Sequence, residues 1–271
     1  MKLPPEGFAT SRRRLLPSPA MPEIAFHFTA WAWFLAGCGA LFVGLSKGGL
    51  TGVGILPVLF FAAVLPARES TGVVLPLLVV GDLCAVGFYW RLARWPVFWR
   101  LLPPALTGVV LGYFCMDRIP ERAFGPVVGG IVLGLVALQL LRSALGERLD
   151  RFFLSHGFTL AMGGLAGVTT MIANAAGPVT NLYFLSIRLP KWELIGTAAW
   201  YFLVVNLFKV PFSAHMGLIN RDSLILGVSL TPLVVVGIWA GRKLAGLLPQ
   251  RQFELFVLLF SAFGAVRLIL R

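Results

Sequence analysis

The segment 44-GLSKGGLTGVGILPVL-59 sets a lysine, Lys47, between Ser46 and a pair of glycines inside otherwise apolar sequence. Its flanks are more apolar still, with runs at 27–46, 49–65, 69–89, 101–116, 123–141, 157–187, 194–213, 223–241 and 253–270. The chain has 271 residues, 58% hydrophobic and 13% charged. No water-soluble core hides that much apolar surface, so the sequence describes an integral membrane protein. With ~20 residues per helical crossing, there is room for roughly eight to ten transmembrane or re-entrant helices, all α, and for no extramembrane domain.

The net charge of +12 does not point to nucleic acid, because the arginines gather at the ends of apolar runs, where membrane sidedness explains them. Cys38, Cys84 and Cys115 are scattered through apolar runs without paired spacing and read as small core residues, not as a disulfide or metal framework. The first 22 residues hold Pro4, Pro5, Pro17, Pro19 and 11-SRRRLL-16 and read as a disordered tail. The arginine triplet lacks the apolar stretch an export signal needs, and Met21 offers a second possible start.

The rest of the chain repeats itself. The motif 120-PERAF-124 matches 249-PQRQF-253, and the same register sets Pro103, Gly108 and Gly112 against Pro232, Gly237 and Gly241. With small register shifts, 65-LPARE-69 matches 189-LPKWE-193, Gly72 matches Gly196, Asp82 falls opposite Asn206, and Pro57-Val58 opposite Pro178-Val179. The expected organisation is a first repeat over 23–142, a linker over 143–150 and a second repeat over 151–271.

Charge orients the halves. The joint 90-WRLARWPVFWR-100 is basic and 117-DRIPER-122 neutral, whereas in the second half 214-AHMGLINRD-222 is balanced and 241-GRKLAGLLPQR-251 basic. If basic joints face the cytoplasm, the halves are inverted, with an odd number of crossings each: five spans, or three plus a re-entrant pair. The alternative is eight spans with parallel halves. It accommodates Arg12, Arg13 and Arg14 but leaves Arg242, Lys243 and Arg251 outside.

Each half carries one glycine-rich interruption, 46-SKGGLTGVG-54 and 169-TTMIANAAGPVTN-181. Broken helices near the midplane leave backbone N–H groups unpaired, and an anion held at helix N-termini satisfies them. A lysine at depth costs ~3 kcal/mol and needs a partner or a wet cavity. The candidate binding residues are therefore Ser46, Lys47, Gly48, Gly49, Thr51, Thr170, Asn174 and Asn181, with Thr169 and Thr180 as further donors. Asp82 is the candidate ion-pair or proton-coupling partner and Asn206 its counterpart. Duller readings stand beside these. Lys47 snorkels if the first run ends at residue 46, Lys209 snorkels near the end of its span, and Gly52, Gly54, Gly108 and Gly112 serve close helix packing. Trp90, Trp95, Trp99 and Trp192 read as interfacial anchors.

The sequence 44-GLSKG-48 also fits the G-x-S-x-G pattern of hydrolases, but that pattern marks a nucleophile only on a strand-to-helix turn or beside a positioned base. An enzyme is not expected, and neither is a cofactor or metal.

The elements G-L-S-K-G-G-L-x-G-x-G-x-L-P-V-L (44–59), A-N-A-A-G-P-V-T-N-L-Y (173–183) and G-T-A-A-W-Y-F-L-V-V-N-L-F-K (196–209), in duplicated halves, resemble the TauE/SafE family of sulfite exporters. The resemblance runs from about residue 25 to the end. It implies secondary transport of a sulfur-containing or other organic anion such as sulfite, thiosulfate or a sulfonate, in the bacterial cytoplasmic membrane. It carries over onto Lys47, Gly48–Gly54 and Asn174–Pro178. Where many members have a run of glycines, this chain has Ser46-Lys47-Gly48-Gly49. An anion channel, or a scaffold without flux, is the alternative.

Overall fold

The computed structural model describes residues 28–145, 155–245, 259 and 262–270. The expected tail, the Met21 start, and the 249-PQRQF-253 match lie outside these residues. Among the described residues the fold is all helical: α1 (Ala30–Lys47), α2 (Leu56–Val64), α3 (Ala67–Tyr89), α4 (Trp95–Arg118), α5 (Glu121–Leu145), α6 (His156–Ala173), α7 (Gly177–Ser186), α8 (Lys191–His215) and α9 (Arg221–Leu244). A further helical stretch covers 262–270. Helix α5 continues past the expected boundary at 142, and the rest of the linker is not described.

Local chemistry sets the ends. Thr29 caps α1 by accepting from the Ala32 N–H, and Ser155 caps α6 by accepting from the Phe158 N–H. Helix α1 stops at Gly48–Gly49, where Gly49 has φ 124°, and α6 stops at Asn174, which takes the left-handed conformation at φ 52°. Helices restart with Pro57 and Pro178 in their first turns, where the missing N–H costs nothing.

After each break the chain folds back along itself. The Phe42 and Phe60 rings stack at 5.5 Å, and Gly39 lies against Phe61, so α2 returns along α1. In the same way Tyr183 stacks on Phe158 at 6.3 Å, returning α7 along α6. The run 157–187 is therefore a helical hairpin, and so is 30–64. Their tips are 48–55 and 174–176.

Element lengths recur in order: 18 residues in α1 and α6, 9 and 10 in α2 and α7, 23 and 25 in α3 and α8, 24 in both α4 and α9. Helices α3 and α8 run antiparallel at the centre. Gly72 at the start of α3 lies against Leu218, just past the end of α8, while Gly196 near the start of α8 lies against Leu92 and Tyr89. The outer seams cross between the sequence halves. A Cβ on Gly44 would sit 2.1 Å from the Val234 carbonyl oxygen, and one on Gly237 would sit 2.3 Å from the Leu41 oxygen, so α1 and α9 touch backbone to backbone. Helices α4 and α6 do the same through Gly108 and Gly167, at 2.2 Å and 2.0 Å from opposing carbonyl oxygens. Close packing is thus the role of Gly108 and Gly112, and also of Gly237 and Gly241.

Five of the described helices are long and apolar enough to cross a membrane: α1, α3 with its 3-10 extension to Leu92, α4, α8 and α9. Their outer faces expose residues such as Val228, Leu111, Phe114 and Trp239, as lipid contact requires. Trp90, Trp95, Trp99 and Trp192 are exposed near helix ends. The basic joints gather at one end of the bundle: the Arg242 guanidinium lies 4.8 Å from the Phe88 ring, and Arg94 pairs with Glu193 at 2.5 Å.

Candidate functional site

The two hairpin tips meet beside the centre of α3 and α8 and line a cavity of about 60 Å³. That holds on the order of four waters, or one small oxyanion. Its lining includes Ser46, Lys47 and Gly54 from the first hairpin, Thr170, Asn174, Gly177 and Asn181 from the second, and Phe202 and Asn206 from α8.

Lys47 is the last residue of α1, yet it does not reach for a membrane face. Its Nζ lies 2.6 Å from Asp82 Oδ1 and 4.2 Å from the centre of the Phe202 ring. Asp82 is fully buried, and its other oxygen accepts from Asn206 Nδ2 at 2.7 Å. An ion pair this deep persists only with such supporting bonds.

The largest departure from expectation is Lys209. Its position near the end of α8 suggested snorkelling, but it is 1% exposed. It donates to Asn174 Oδ1 at 2.5 Å, Thr170 Oγ1 at 3.1 Å and Asn206 Oδ1 at 3.4 Å. Distance from a helix end does not decide which way a side chain faces. Here the tip of the second hairpin covers it with oxygens. The signal available in the sequence was the i, i+3 spacing from Asn206, which puts both on one face of α8.

The two asparagines are committed to this network. Asn174 Nδ2 donates to the Thr71 carbonyl at 3.0 Å and Asn206 Nδ2 donates to Asp82, which fixes both amides with their oxygens toward Lys209. Ser46 lines the cavity while its hydroxyl donates to the Val43 carbonyl at 2.8 Å. The Gly48 carbonyl accepts from the Tyr89 hydroxyl at 2.9 Å, and Gly48 and Gly49 form the turn outside the lining. Thr51 begins a 3-10 turn, and its side chain lies outside what is described. Thr169 and Thr180 do not join the site: their hydroxyls donate to carbonyls of their own helices, at Leu165 and Ala176.

Ala176 and Gly177, at the N-terminus of α7, also face the cavity. The first N–H groups of a helix carry partial positive charge and have no intrahelical acceptor. Lys47 and this helix start therefore bring positive potential to one small space.

No curated protein and no solved structure matches the chain. A family model described as sulfite exporter TauE/SafE matches residues 33–268, which takes in both hairpin tips, the central helix pair and the whole cavity lining. The helical, lipid-facing bundle and this match together place the chain, a multi-pass membrane protein, in the TauE/SafE family of sulfite exporters.

Proposed function

We propose that the cavity between the hairpin tips holds a small sulfur-containing anion, of the sulfite, thiosulfate or sulfonate class, and that the chain carries it across the bacterial cytoplasmic membrane as a secondary transporter. The observation that supports this most is the convergence of Lys47, Thr170 and the α7 N-terminus on one cavity. Ser46, Asn174, Asn181 and Asn206 shape the rest of the lining, and Gly48, Gly49 and Thr51 form the tip that carries Lys47. Asp82 holds Lys47 in place and is the candidate proton-coupling group.

Alternating access follows from inverted halves. The antiparallel run of α3 against α8, and the gathering of basic joints at one end, support that inversion with the basic end in the cytoplasm. Rocking of one hairpin against the other then opens the cavity to either side.

The test is uptake of labelled sulfite into proteoliposomes with and without unlabelled sulfite inside. A carrier shows saturation and faster uptake after preloading, both lost in Lys47→Ala. Flux without acceleration by preloading means a channel, and absence of flux for every sulfur anion means a scaffold.

A further inference from the structure

Three charged side chains are gathered at the cavity among the described residues: Lys47, Asp82 and Lys209. Their surroundings differ. Lys47 spends its charge on Asp82. Lys209 meets only neutral oxygens, those of Asn174, Thr170 and Asn206. An ammonium has three N–H donors, and all three find acceptors here, whereas a neutral amine has only two to give. The orientation of both amides is fixed from their far ends by Thr71 and Asp82, so these oxygens face Lys209 by construction.

With Lys209 protonated, as its three acceptors suit, the cluster carries one positive charge in excess, at a site where Asp82 is 0% and Lys209 1% exposed. An unbalanced charge in such surroundings is costly, and the ligand that removes the imbalance carries one negative charge. A doubly charged anion overshoots. Balancing it requires a proton on Asp82, which gives up the carboxylate's ion pair with Lys47.

Resting on the reading of the cavity as the anion site, we propose that this transporter selects its substrate by charge, taking singly charged sulfur oxyanions such as sulfonates or hydrogensulfite in preference to dianions. Lys209 sets that preference from behind the lining, through Thr170 and Asn174, with Asp82 cancelling the other lysine. Neither the family match nor the cavity's size specifies this choice.

The test uses three tetrahedral sulfur compounds of similar size and charge 0, −1 and −2: dimethyl sulfone, methanesulfonate and sulfate. Binding to the full-length protein in detergent is measured by calorimetry at one pH. The expected order has methanesulfonate tightest, by about tenfold over the other two. Asp82→Asn, nearly isosteric, raises the cluster to two positive charges and moves the preference to sulfate. Lys209→Met brings it to zero and reduces methanesulfonate binding to that of the sulfone. Sulfate binding as tightly as methanesulfonate in the unaltered protein overturns the charge rule while leaving the cavity an anion site, and so does an unchanged order in Asp82→Asn. If none of the three binds, the anion-site reading falls and the charge rule with it.

Discussion

Asn206 donates to Asp82 across 2.7 Å, although 124 residues separate them. These are the two positions that the internal sequence match is expected to set opposite each other, and the proposed inverted halves would bring them together at the axis between them. Asn206→Leu removes the donor and leaves one oxygen of a buried carboxylate unpaired. The expected loss of stability is about 2 kcal/mol, read as a lower melting temperature of the detergent-solubilised protein.

Lys47 and Asp82 are predicted to be energetically coupled. Lys47→Met strands the buried carboxylate and costs about 3 kcal/mol or more, whereas Lys47→Met combined with Asp82→Leu costs less than either change predicts, because apolar residues replace a buried pair at little expense. A double-mutant cycle on thermal or SDS-induced unfolding measures the coupling. Strict additivity would mean that the ion pair is not formed in the membrane.

The glycine seams give a prediction with an internal control. Gly44→Ala drives a methyl into the Val234 carbonyl at 2.1 Å and forces α1 away from α9. Gly130→Ala on α5 meets nothing within 4 Å and gains helix propensity worth up to about 1 kcal/mol. The first variant is expected to melt well below the parent protein and the second at or above it.

Asn174→Asp keeps a residue type tolerant of the left-handed backbone and puts a carboxylate beside Lys209. It cancels the excess charge without an anion. Sulfite uptake in proteoliposomes should fall by about tenfold or more, while the melting temperature stays near the parent value, the new ion pair with Lys209 offsetting the lost bond to the Thr71 carbonyl. Uptake at the parent rate would exclude Lys209 from any part in binding.

Orientation is tested by labelling. In a background with Cys38, Cys84 and Cys115 replaced by alanine, Arg100→Cys and Lys243→Cys are expected to react with an impermeant maleimide only from the cytoplasmic side, and Gly217→Cys only from the opposite side. Reaction of Lys243→Cys in intact cells would reverse the assignment.

Much of this arrangement was readable in advance, for definite reasons. Glycine and proline punctuate helices locally, so Gly48–Gly49, Pro57 and Pro178 marked both breaks without knowledge of the neighbours. Lys47 and Asp82 stood out because charges in apolar runs need partners. Lys209 was misread because burial depends on what packs over a residue, and its cover, Thr170 and Asn174, comes from a hairpin tip more than thirty residues earlier. The commitment of Asn174 and Asn206 to that lysine was invisible for the same reason. The folding back of each hairpin was open too, since nothing local says whether a short helix after a break continues across or returns.

The partner exchange between seams bears on how the protein is made. When α1 enters the bilayer its glycine face has no match, since α9 is still nearly two hundred residues from synthesis, and α4 waits likewise for α6. The first half therefore sits in the membrane with open seams, and assembly completes only when the last helices arrive. A chain truncated after α5 should be cleared by membrane proteases. The same fragment made together with a separate 151–271 polypeptide should be rescued, because each supplies the surface the other lacks.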